Sequence, residues 1–489
     1  MNTQKIKIML GIGAVLLLTA CEKSYEHGLR ALEKGDLDES AKIFLELAED
    51  GDPRAMHQLF ALDLHEDPLV WLQRAAEAGF AKAQVDYGVY LLESTNEVTQ
   101  FALGYAYLQQ AEAQESGPAR DYLNANKANI ETKLLAEQGD ISAQFFLGVY
   151  YYGGQNGEPN HDLAFRWYEK AANQGLRQAQ FSLGAMYHKG ESVEENLVQA
   201  ASWYLKAAEQ GDVQAQEKIG EFFERGDGVE QNYTLAAYWY QKAADQEDAA
   251  AQNNLGHLYQ VGNGVDQNAT LAAEWYLRAA EHGLPRAQYN LGQLYSQGNG
   301  VEQSYADAFS WYQQAAEQHY PPALYALGQY YRTGKSVEIN HDLAFNAFKT
   351  AADQENANAQ YLVGISYAEG SGVEQDLETA VSWYQKAADQ QLADAQFQLG
   401  AAYGNGAGIE KNDIDAFFWY AKAAEQNHID AQYHLGLMYH HGKGIEKNDG
   451  LALKWFQSVA EQGDMKSQAD MAALYEHGLG TDQDMDAAI

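Results

Sequence analysis

The sequence predicts an all-α solenoid of helix-turn-helix repeats of 36 residues, and three observations predict it. The string AQFFLGVYY at 143 returns in variant form at 179, 215, 251, 287, 323, 359, 395 and 431, nine copies at a constant step of 36. Apolar residues within a copy, such as Ala251, Leu255, Leu258 and Tyr259, recur at intervals of three and four, the period of a helix face rather than of a strand. The composition agrees: 489 residues with 46% hydrophobic and 12% aromatic content can bury a core, and 44 glycines against 7 prolines ask for many tight turns made without proline.

The amino terminus carries a different signal. Lys5 and Lys7 precede an apolar stretch from Ile8 to Leu18, and the small pair Thr19-Ala20 stands directly before Cys21, the order of a secretory n-region, h-region and cleavage site. The apolar stretch makes roughly 16 Å of helix against a ~30 Å hydrocarbon core, which favours a cleaved segment over a transmembrane helix. Leu18-Thr19-Ala20-Cys21 resembles the lipobox of bacterial lipoproteins. The resemblance implies a signal peptide over 1–20, cleavage before Cys21, lipid on its sulfur and new amino group, and a lipid-anchored tether over 21–24. The alternative is an ordinary signal peptide with a chance cysteine. Three acyl chains at ~0.8 kcal/mol per buried methylene would hold the protein in a membrane. The expected location is the bacterial cell envelope, and Glu22, where similar inner-membrane lipoproteins carry aspartate, leans this towards the outer membrane.

Residues 25–142 keep the repeat in eroded form. Trp71, Ala75-Ala76, Gly79, Ala83-Gln84 and Gly88 hold register, as do Leu135-Ala136, Gly139 and Ala143, but the stretch from Ala83 to Ser142 is 24 residues longer than one copy. It is expected to form a variant amino-terminal end of the solenoid. Residues 143–466 are the nine regular copies, and 467–489 open a further copy that stops before its second helix.

Within a regular copy, counting from its first alanine, the sixth and twelfth places are always glycine. Gly262 fits the left-handed residue that ends a first helix, and Gly264 the reversal that follows, with Val265 plugging the loop onto the core. Asn156, Ser192 and Ser336 replace the second glycine in three copies, and differently shaped loops are expected there. A mid-helix glycine costs roughly 1 kcal/mol relative to alanine, so the sixth place must lie under a close neighbour. The expected lid is the small pair of the copy's own second helix, such as Ala279-Ala280, with Trp275 and Tyr276 filling the adjoining space. The Trp-Tyr stripe then belongs to the core rather than to a ligand cage.

The residues A-x-x-x-L-G-x-x-Y-x-x-G-x-G-V followed by A-x-x-W-Y-x-K-A-A-x-x-G resemble the SEL-like repeat family, cousins of tetratricopeptide repeats. The resemblance implies that the copies stack into a right-handed superhelix whose concave face binds another protein. No cofactor and no catalytic residues are expected, because core packing explains the aromatics and an active site would have to be assembled from variable repeat positions.

Little else in the chain carries chemistry. The 32 basic and 69 acidic residues give a net charge of −37, which repels phosphate backbones and excludes a general grip on nucleic acid. A single cysteine removes disulfide frameworks and multi-cysteine metal sites. Gly334-Lys335-Ser336 resembles the end of a phosphate loop, but the repeat register explains its glycines. Asp482, Asp484 and Asp486 open like a calcium loop, yet Ala487 occupies the turn glycine's place. His434, His440, His441 and His477 are the densest histidine group and lack an accompanying carboxylate pattern, so no metal is expected. Nucleophile-elbow, zinc-protease and dinucleotide motifs are absent from the sequence.

The sequence therefore points to a membrane-tethered scaffold for an envelope protein or a basic peptide. The alternative is a part of an exopolysaccharide assembly or secretion complex, facing polysaccharide, and a hydrolase is a third reading. The candidate groove follows from the helix period. Once the first, fifth, sixth and ninth places are spent on packing, the third, seventh and tenth share another face. The third place reads Phe145, Phe181, Glu217, Asn253, Tyr289, Tyr325, Tyr361, Phe397 and Tyr433, aromatic in seven of nine copies. Its polar interruption, with Glu221 and Glu224, suggests an acidic centre for a basic peptide. Packing between adjacent copies is the competing explanation of the rings.

Overall fold

The computed structural model describes residue 22 and residues 24–63, 67–94, 98–154 and 158–481, and among them every regular element is helical. Residues 1–21, including Cys21, lie outside the described residues, as do Asn156, Asp482, Asp484 and Asp486. The chain divides into two compact units, Met1–Ala207 and Ala208–Ile489.

The second unit shows how a copy folds. Asp248 caps the first helix, Ala249–Val261, by accepting from the Ala251 amide at 2.7 Å. Gly262 ends it at φ +82° and returns its amide to the Leu258 carbonyl at 2.8 Å. The loop is tied by the Asn268 amide to the Tyr259 carbonyl, 2.8 Å, and the Asn268 side chain caps the second helix, Ala269–Glu281. Gly264 has φ +72°, and a Cβ on it would stand 2.3 Å from the carbonyl carbon of Tyr233 in the preceding copy. Glycine is thus required by conformation and by contact. Val265 is partly buried against the cluster of Tyr240, Leu255, Leu258 and Trp275, as a loop plug should be.

Two expectations need correction. Ser192 and Ser336 adopt φ +69° and +66°, the same left-handed region as the glycines they replace, so these turns keep the repeat's backbone at that residue. At Ser192 the hydroxyl also donates to Asp162. The lid on the sixth-place glycine is the tyrosine ring rather than the alanine pair. A Cβ on Gly256 would meet Cδ1 of Tyr276 at 2.9 Å and the Ala272 carbonyl at 3.2 Å, whereas Ala279 and Ala280 pack with Ala287 and Leu291 of the next copy. The small pair lets successive copies approach.

The first unit departs from this pattern near its middle. Helices Ala81–Ser94 and Val98–Ala113 cross backbone on backbone: a Cβ on Gly88 would lie 2.9 Å from the Gly104 carbonyl, and one on Gly104 would lie 2.8 Å from the Gly88 carbonyl. The surplus seen in the sequence is a further helix, Gly117–Glu137, inserted before the first regular copy. At the other end of the chain, helix Met465–Glu476 buries Ser467 and Leu474. Gly480 approaches Asp449 as Gly264 approaches Tyr233, so this last copy docks in register.

Candidate functional site

The first helix of each copy turns its third place away from the sixth-place glycine only partly, and the two share one ring. Phe145, Phe181, Tyr289, Tyr325, Tyr361, Phe397 and Tyr433 each tilt against the second-helix Tyr or Phe that covers the glycine of the same copy. Their centroids are 5.6–6.1 Å apart and the planes are inclined 41–48°. The contact common to all seven lies within a copy, and some of the rings also pack on the next copy, as the competing explanation expects: the Tyr433 hydroxyl donates to Asp470 at 2.9 Å and Phe397 lies 5.7 Å from His434. All seven rings remain partly exposed, and Phe397 is also stacked on His428 with centroids 4.8 Å apart. Burial pushes the covering phenols Tyr168 and Tyr420 up to about 12, which keeps them neutral.

The polar interruption is built differently from what its sequence suggested. Asn253 is buried, 3% exposed; its amide donates to Asn254 and its carbonyl oxygen accepts from Asn290 of the next copy at 2.9 Å. It joins copies and does not line an open groove. The acidic centre is also largely neutralised. Lys218 reaches Glu217 at 3.4 Å and Glu221 at 2.9 Å, and Arg225 pairs with Glu221 at 2.7 Å. Glu224 accepts from the Tyr240 hydroxyl at 2.6 Å. Burial raises the Glu217 carboxyl above its ordinary value, with Lys218 acting against that rise. A basic peptide would have to compete with cations already seated on this helix.

The histidines are likewise engaged. His434 stacks on Tyr420 with centroids 5.0 Å apart, His440 Nδ1 lies 2.6 Å from Asp449 Oδ1, and His477 Nδ1 donates to the Ala473 carbonyl at 2.8 Å. Among the described residues no group of three or more His, Cys, Asp or Glu side chains is arranged to hold a metal ion, and no helix is long and apolar enough to cross a membrane.

Comparison with known families finds the Sel1 repeat at 69–80 and 81–116, in nine consecutive 36-residue steps from 141–176 to 429–464, and at 466–489. The chain belongs to the Sel1 repeat family. The crystal structure of a protective antigen from uropathogenic Escherichia coli strains, displaying an SLR fold, matches with a TM-score of 0.62 at 33% identity, over 86% of this chain and 85% of that one. A Sel1 repeat protein from Oxalobacter formigenes matches with a TM-score of 0.51 at 32% identity, over 63% of this chain and 89% of that one. No curated protein matches the chain.

The Sel1 repeats contain one polar device that the sequence displayed and the periodicity argument passed over. Glutamine fills the second place in eight of nine copies and the thirty-second in eight of nine. Gln288 donates to the Ala280 carbonyl of the copy before, 3.2 Å, and accepts from Gln318 at the end of its own copy, 3.0 Å. Gln144, Gln216, Gln360, Gln396 and Gln432 repeat both contacts. Where the thirty-second place is His282, the buried Gln252 Oε1 has no partner. The inserted helix of the first unit borders a cavity of about 590 Å³, whose lining includes Phe101, Tyr122, Lys133, Tyr151 and Glu158. Rings, amides and both signs of charge line it together, a mixture that selects no ligand class.

Proposed function

We propose that the chain is an envelope scaffold, tethered through lipid on Cys21, that binds a protein partner along the first-helix face of its Sel1 repeats. Sel1 repeat proteins are typically protein-interaction scaffolds. The observation that carries the reading here is the set of seven third-place rings, two in the first unit and five in the second, each tilted against a core ring and partly exposed. A ring already held gives contact area at little further cost in rotamer entropy, which is what an interface anchor needs. The residues engaged are Phe145, Phe181, Tyr289, Tyr325, Tyr361, Phe397 and Tyr433. The tether rests on the order of residues from Lys5 to Cys21.

Affinity capture from bacterial envelope extracts tests this, with the unaltered protein beside Tyr325→Ala/Tyr361→Ala. Loss of the captured protein in a variant that retains a cooperative melt supports the ring face. Capture that persists through the double substitution contradicts it, and capture of polysaccharide alone replaces it with the envelope-assembly alternative.

A further inference from the structure

The face carrying the third, seventh and tenth places changes character along the second unit. From Tyr289 to His440 those places hold no aspartate or glutamate, in a chain with 69 of them, and they include one arginine, Arg332. Arg332 ends the first helix Pro321–Thr333 and is exposed. A cation there gains from the helix dipole, but that gain needs no fixed orientation. Here the orientation is fixed. Nε and Nη2 both donate to Gln329 Oε1, at 3.1 and 2.8 Å, and Gln329 Nε2 in turn donates to the Tyr325 hydroxyl at 3.0 Å.

This relay has a direction. A guanidinium carries five N–H donors and no acceptor, so three remain after Gln329 has taken two. The Tyr325 oxygen accepts from Gln329 and so anchors the amide that orients Arg332. On the next copy the Tyr361 phenol also accepts, from Gln398, and burial raises it above its ordinary value, with the Arg332 cation acting against that rise. Asp394 acts on the same phenol in the opposite sense but is engaged by His428 at 3.2 Å, and Glu369 lies at the end of the following first helix. Among the described residues no carboxylate forms an ion pair with Arg332. Beyond Gln329, the Arg332 donors meet no acceptor among the described residues.

Resting on the scaffold reading above, we infer that Arg332, oriented by Gln329 and flanked by Tyr325 and Tyr361, receives an aspartate or glutamate side chain of an extended partner segment that lies along the ring face. The guanidinium offers the carboxylate two parallel N–H groups, and Tyr325 holds the Gln329 amide that orients them. The third, seventh and tenth places to either side carry no carboxylate of their own. The sign is opposite to that suggested by Glu217, Glu221 and Glu224, of which the first two pair with Lys218 and Arg225 of their own helix and the third accepts from the Tyr240 hydroxyl.

The test is a fluorescence-polarisation titration of the full chain with two labelled ten-residue peptides of alternating serine and leucine, one with a central glutamate and one with glutamine in its place. The glutamate peptide should bind about tenfold more tightly, Arg332→Gln should erase that difference, and Tyr325→Phe should reduce it a few-fold. Raising the salt should narrow it. Arg332 is exposed, so its replacement should leave the melting curve intact. Equal affinity for the two peptides, a preference that survives Arg332→Gln, or no binding of either peptide overturns the inference. Envelope capture dependent on Tyr325 and Tyr361 remains the separate test of the scaffold reading.

Discussion

Gly292 and Tyr312 occupy the same space: a Cβ added to the glycine would lie 2.7 Å from Cε1 of the ring, which is itself 4% exposed and cannot swing away. The same pairing recurs from Gly148 with Tyr168 to Gly436 with Phe456, and it sets the distance between the two helices of a copy. The ring that fills this gap also packs against Tyr289, centroids 5.7 Å apart, so the core spacing and the third-place rings are one construction.

Gly292→Ala should therefore lower stability although alanine favours helix by roughly 1 kcal/mol, because overpacking against a buried ring costs about 1–3 kcal/mol. Gly404→Ala is the matched control, since its Cβ would meet Ala416 at an ordinary 3.7 Å inside the first helix Ala393–Asn405. Calorimetry should show Tm falling for the first and unchanged or rising for the second. Equal behaviour of the two would remove the contact argument.

His282→Gln should stabilise by about 0.5–1.5 kcal/mol, since it supplies the amide that the buried Gln252 Oε1 lacks and that Gln318 supplies to Gln288. Gln288→Leu should cost about 1–3 kcal/mol by leaving the Ala280 carbonyl and the Gln318 amide without this partner. Urea midpoints of the two variants should move in opposite directions, and movement in the same direction contradicts the ladder.

Acid should weaken the carboxy-terminal copies through His434. Burial lowers its pKa, Asp430 opposes the shift and Lys466 adds to it, while the ring stays stacked on Tyr420 and near Phe397. The unfolded chain binds a proton below about pH 6.5 that the folded chain declines until lower pH, so stability falls as pH drops from about 6.5 and is unaffected above it. His434→Phe keeps the stack and should lessen the loss of Tm between about pH 7 and pH 5.5. An unchanged loss assigns the acid sensitivity elsewhere.

Cys21→Ser should abolish labelling by a fatty-acid probe and release the protein from the membrane fraction. Labelling and fractionation like those of the unaltered protein would remove the anchor from the account.

The helices and their turns were legible because period and punctuation agree in most regular copies: Ala251, Leu255 and Leu258 mark a face, and Gly262 and Gly264 mark its end. The identity of the glycine's lid was not, since sequence spacing shows which residues share a helix face but not which neighbour reaches across. Tyr276 and Ala279 were equally eligible until their directions were known. The state of a charge was hidden for a similar reason. Glu217 and Glu221 read as an acidic centre in one dimension, while Lys218 and Arg225 answer them around the helix. Asn253 looked like a groove residue because its place is open in other copies, and only its bond to Asn290 shows why asparagine closes it here. The glutamine ladder was visible as a recurring letter, but a buried polar side chain acquires meaning only when its donors and acceptors are counted.

The most direct measurement of the central claim is hydrogen exchange on the full chain with and without a partner captured from envelope extract. Partner-dependent protection should fall on the first helices that carry Tyr289, Tyr325, Tyr361, Phe397 and Tyr433. Protection confined to the second helices or to the glycine turns would contradict it.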